Sequence, residues 1–155
     1  MNFRIRGLPL APFAPLFGLD DSALAARGAV RRVADRRPSF PCRVSLRDAE
    51  PGETLLLLNY EHLSVPGPYR SSHAIYVREQ AQEYTPGINE VPQLLRTRLL
   101  SVRAYDAAGM MVDADVVDGV ELEPVIARFP DAPAVALVHL HNAKPGCFAA
   151  SVHRA

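Results

Sequence analysis

The stretch VHLHNAKPGC, residues 138–147, carries two imidazoles two positions apart at the end of an apolar run, then a loop and a thiol. Side chains alternate faces along a strand, so His139 and His141 project from one side. If residues 142–146 form the turn of a hairpin, His141 faces Cys147, His139 faces Ala149 and Leu137 faces Ser151, which puts the thiol beside both imidazoles. Three chemistries fit these residue types. Two imidazoles can begin a zinc or iron site, with Cys147, Cys42 or an acid such as Glu61 completing it. A histidine beside Cys147 can activate it as a nucleophile. The histidines and Asn142 can instead donate hydrogen bonds to a ligand held without covalent chemistry. Against all three stands ordinary packing, with histidines bonded to backbone or solvent and the cysteine acting as a small hydrophobe.

Other segments offer polar groups at strand ends. In FPCRVSL, Arg43 adjoins Cys42, where a cation serves as an anion clamp or favours a thiolate. The run TLLLLNYEH is apolar on both faces until Asn59, and YRSSHAIYV adds Arg70, Ser72 and His73. If the strands ending in NYEH and HLHN are neighbours of like polarity, their edges make one site. The candidate catalytic groups are therefore His139, His141, Cys147 and His73. The candidate ligand-binding groups are Arg43, Asn59, Arg70 and Asn142, and the arginines imply a small anionic ligand. The alternative class is a non-catalytic interaction or structural protein with neither metal nor reactive thiol. Asp113 and Asp115 share a strand face in MVDADVVDG; they read as the solvent side of an edge strand, with Asp118 capping a helix, rather than as a hard-cation site.

The elements that position these groups are short. FRIRGL, AVRRVAD, TLLLLNYEH, SHAIYVRE and the closing AVALVHLH and CFAASVH have strand patterning. LLSVRAYDAAGMMVDADVVDG reads as strand, tight turn and strand, with Gly109 free to take positive φ. DDSALAARG is a helix that Asp20 or Asp21 can cap and Gly28 can stop. A second short helix is expected near Leu94 and Leu95. A third starts in DGVELEPVIARF, where Asp118 and Glu121 have capping-box spacing. The expected fold is a single α+β domain over residues 1–155, a mainly antiparallel curved sheet of about seven short strands with two or three short helices.

Composition narrows the classes further. The 155 residues are 48% hydrophobic, which suits a packed domain. No apolar run reaches the ~20 residues of a membrane helix, and Pro9, Pro12 and Pro15 interrupt any leader-like stretch, so a cytoplasmic protein is expected. Net charge is zero. Residues 1–50 hold nine arginines against five acids, but RGAVRRVADRR reads as a solvated face, and a nucleic-acid partner is not expected. The two cysteines are expected as thiols.

Taken in order, PCRVSLRDAEPGE, LLLNYEH, YRSSHAIYVRE, GMMVDADVVDG and HLHNAKPGC resemble the bacterial domain of unknown function family number 1203. The resemblance runs over nearly the whole chain and implies a compact bacterial intracellular protein. It brings no reaction or site residue with it.

Overall fold

The computed structural model describes residues 2–129 and 131–155. In chain order it contains β1 (Phe3–Arg6), α1 (Asp21–Ala25), β2 (Val30–Val33), β3 (Thr54–Leu63), β4 (Ser71–Arg78), α2 (Gln93–Arg96), β5 (Leu99–Tyr105), β6 (Met111–Asp118), α3 (Leu122–Ile126), β7 (Leu137–Asn142) and β8 (Phe148–Arg154). The strands form a five-stranded sheet in the order β1-β8-β7-β5-β6 and a three-stranded sheet in the order β2-β3-β4. The α+β class and the antiparallel pairing are as expected. Among the described residues the count of about seven strands is corrected to eight, and the single sheet to two, because sheet membership is set by pairings remote in sequence. The chain divides into two compact units. One contains residues up to Arg6, Glu61–His73 and Thr85–Ala155; the other contains Gly7–Tyr60 and Ala74–Tyr84.

In the first unit the pleat separates two kinds of face. Val102 pairs with Leu140 and Ala104 with Val138. Leu140 pairs with Ala150 and Val138 with Val152, and Val152 with Ile5. These side chains are all buried and form the apolar face. The alternate positions, Ser101 opposite His141 and Arg103 opposite His139, give the polar face on which the histidines stand.

Local chemistry fixes the connections. Between β5 and β6, Gly109 takes φ 77°, and Asp106 Oδ1 accepts from the amides of Ala108 and Met110, each at 2.9 Å. β6 is an edge strand, as expected. Its Asp113 and Asp115 carboxylates both approach Arg128 Nη2, at 3.4 and 3.2 Å, so a guanidinium holds them. The expected capping box is corrected. Asp118 ends β6, a 3-10 turn spans Gly119–Glu121, and α3 begins at Leu122 with no side-chain cap. The strand runs further than its helix-like spacing implied. Pro124 falls in the first turn of α3, where its missing N–H costs nothing.

Gly119 is a close-approach glycine. Its amide donates to the Arg98 carbonyl at 2.8 Å, and a Cβ there would stand 1.9 Å from Leu95 O and 2.8 Å from Arg96 Cα. These obstacles are backbone, so α2 itself would have to move. Gly119→Ala is expected to destabilise the protein by about 3 kcal/mol, at the upper end of overpacking costs. Urea unfolding measures it, and a loss under about 1 kcal/mol would show that α2 yields freely.

In the second unit, Asp20 Oδ1 accepts from Ala23 N at 2.8 Å and caps α1, and Gly28 follows at φ 67°. Leu24, Ala29 and Leu56 make one small core; Ala34, Ala49 and Leu55 make another. Buried Arg78 pairs with Glu53 through Nε at 2.9 Å and through Nη2. Arg31 pairs with Asp21 at 2.5 Å and Arg37 with Glu50, in keeping with a solvated arginine face. No helix among the described residues is long and apolar enough to cross a membrane.

Candidate functional site

His139 and His141 leave β7 on the polar face of the five-stranded sheet. Both are buried, His141 completely. Over them lie His62 from the end of β3 and His73 from the start of β4, all four within the first unit. His62 is the hub. Its Nε2 is 2.8 Å from His73 Nδ1 and 3.1 Å from Ser71 Oγ, and its Nδ1 is 3.2 Å from His139 Nδ1. Phe148 lies parallel to the His62 ring, with centroids 5.2 Å apart. His141 meets the His62 and His73 rings edge-on at 4.9 and 5.3 Å.

The His141 tautomer follows from its partner. Nδ1 lies 3.1 Å from the Gly146 carbonyl, which can only accept, so Nδ1 carries the proton. Nε2 of the neutral ring is then an acceptor lone pair. It is fully buried and has no hydrogen-bond partner among the described residues. An orphaned buried polar atom costs about 1–3 kcal/mol. One ligating atom from each of His62, His73 and His141 falls within 4.8 Å of the others.

Burial holds His62, His139 and His141 neutral. It pushes His139 and His141 down to about 3 and His62 down to about 4. The charged forms are further disfavoured by neighbouring positive groups, with Arg103 acting on all three rings. Neutral imidazoles are the form that ligates metals.

The other expected site residues fall elsewhere. The hairpin register is corrected: β7 and β8 pair His141 with Phe148 and His139 with Ser151, with an irregularity between Leu140 and His141. Cys147 therefore does not face His141. Its Sγ accepts from Asn142 Nδ2 at 3.4 Å, and Asn142, in register with Leu100, belongs to the opposite face. Both cysteines are free thiols. Arg70 forks onto Glu61 at 3.1 and 3.0 Å on the exposed hairpin. Arg43 and Asn59 lie in the second unit, where Arg43 is buried with Nη1 on the Pro41 carbonyl. β3 and β7 belong to different sheets, so NYEH and HLHN are not paired neighbours, and their ends meet through His62.

Of the residues expected from the sequence, the structure brings His73, His139 and His141 together, and it adds His62 and Arg103, which the sequence reading did not name. The available signal for His62 was its place two residues beyond Tyr60, where the apolar run of β3 ends. Arg103 had none without the β5–β7 pairing.

A family model described as "Protein of unknown function (DUF1203)" matches residues 39–154. No curated protein and no solved structure matches the chain.

Proposed function

Since the chain belongs to the DUF1203 family, which supplies no reaction, we propose from the site itself that the protein binds one divalent transition metal through His62, His73 and His141 and acts on a ligand at the remaining coordination position. The observation that carries this reading is the orphaned, fully buried Nε2 of His141 converging with two further imidazoles. Metal–nitrogen bonds of about 2.0–2.1 Å in a tetrahedral site imply nitrogens about 3.3 Å apart. His62 and His73 need only separate slightly from 2.8 Å, and His141 need only swing inward.

The supporting shell has the usual design of such sites. The Gly146 carbonyl fixes the His141 tautomer. If His62 ligates through Nε2, its Nδ1–H donates to His139 Nδ1, which makes His139 a positioning residue. Among the described residues the ligand group contains neither thiolate nor carboxylate. Imidazole ligation suits zinc, copper, iron or nickel. Three neutral ligands leave the ion its full charge and one open position, the arrangement of catalytic zinc, which lowers the pKa of bound water to about 7. Such a metal supplies Lewis-acid activation of water or of the bound ligand.

The test is metal content of purified, untagged protein by mass spectrometry, followed by chelation and zinc titration. One zinc per chain with submicromolar affinity is expected. A chelated protein that takes up no metal stoichiometrically would overturn the reading and leave the histidines as hydrogen-bonding or acid–base groups.

A further inference from the structure

Among the described residues, Arg103 stands beside the histidine cluster with no counter-ion. On β5 it is in direct register with His139, and Ser101 is in register with His141, so both point to the cluster side of the sheet. Arg103 Nε donates to Ser101 Oγ at 3.1 Å, and the guanidinium lies near the hydroxyl of buried Tyr105, where its charge favours the ionised phenol. Neither group is a carboxylate. Among the described residues no carboxylate pairs with Arg103, while the arginines of the exposed surface repeatedly find one. Arg103 is itself half-buried.

The charge balance is informative. A dication on three neutral imidazoles beside an uncompensated guanidinium leaves an excess of three positive charges in a partly desolvated place. Such a centre draws an anion, and the planar fork of arginine matches an oxyanion. We infer that the ligand at the open metal position is a small-molecule oxyanion, a carboxylate or phosphoryl group, with one oxygen on the metal and another on the Arg103 guanidinium. This rests on the metal site proposed above. It moves the anion-recognition role from Arg43 and Arg70 to Arg103, and it makes Ser101 and Tyr105 the groups that hold the guanidinium in place.

Cobalt separates the two claims, because its visible absorption reports both loading and the fourth ligand. Chelated protein is loaded with cobalt alone and titrated with inorganic phosphate, then separately with acetate. The expected result is one cobalt per chain and a saturable spectral change with one anion per cobalt. The stronger of the two probes identifies the oxyanion. Arg103→Gln is expected to keep one cobalt, bound as tightly or more tightly because a neighbouring cation is gone, and to weaken the anion roughly 10–100-fold. Arg103→Lys keeps the charge but loses the fork and is expected to weaken the anion several-fold; it decides the matter if the glutamine variant fails to load cobalt. Cobalt that loads but ignores both anions overturns this inference and leaves the metal site standing. So does unchanged anion affinity in the variants. Failure of the wild type to load cobalt overturns both.

Discussion

Alanine in place of His141 is expected to weaken zinc binding roughly 10²–10³-fold. Four-ligand zinc sites in folding peptides are worth about 10–16 kcal/mol, so one ligand accounts for about 3–4 kcal/mol. Thermal or urea unfolding gives the readout. At zinc about 1,000-fold above the wild-type Kd, the metal adds about 4 kcal/mol to wild-type stability. At the same zinc concentration the variant gains only about 0.4–1.4 kcal/mol. His62→Ala is expected to do at least as much harm, since His62 is a proposed ligand and contacts every other ring of the group. His139→Phe removes the orienting acceptor while keeping a ring in its place, and is expected to cost about 10-fold. The control is His153→Gln. That ring bonds Ser151 Oγ at 2.8 Å and is not among the three ligating residues, so its zinc response is expected to match wild type. A His141→Ala protein with the full zinc response would remove His141 from the site, whatever metal the protein contains.

The sequence made parts of this site legible and hid others for identifiable reasons. His139 and His141 share a face because strand side chains alternate, and that relation survives any change of partner. The position of Cys147 does not, because it depends on how the loop 143–147 closes. The irregularity at Leu140/His141 seats Phe148 opposite His141, and Phe148 then supports the His62 ring where the thiol was expected. His62 was obscured by its strand. TLLLLNYEHL has buried or half-buried leucines on both faces, so no periodicity says where His62 points. Arg103 lies in an unremarkable alternating strand, LLSVRAY, and acquires meaning only from β7 at its side. The turn chemistry at Asp106–Gly109 and the Asp20 cap were readable because they are local. The capping-box reading of Asp118 failed because the β6 pairing with Leu99 extends the strand through that residue.

The burial that keeps these imidazoles neutral is expected to make the metal-free protein acid-sensitive. In the unfolded chain the histidines titrate near 6.5; folded, His62 is held at about 4 and His139 and His141 at about 3. Between those limits the unfolded state binds more protons than the folded state, so stability falls as pH falls. The contribution is intact above about 6.5 and is lost progressively toward about 3–4. Each withheld proton is worth about 1.4 kcal/mol per pH unit, so three give about 4 kcal/mol per unit near pH 5. That is a large share of the ~5–15 kcal/mol typical of a domain. Acid unfolding of the chelated protein is therefore expected to centre near pH 5. Glu53, held at about 2 by its hydrogen bonds to Arg78, acts with the same sign but only between about 4.5 and 2, too low to produce a loss at pH 5–6. Urea unfolding at pH 7, 6 and 5 reads the slope, and His139→Phe, which removes one titrating ring, is expected to flatten it by about a third. A stability unchanged between pH 7 and 5 would contradict the buried neutral cluster. Zinc at saturation is expected to carry the acid transition to lower pH, because the metal binds the folded state and protons must displace it before the cluster can charge.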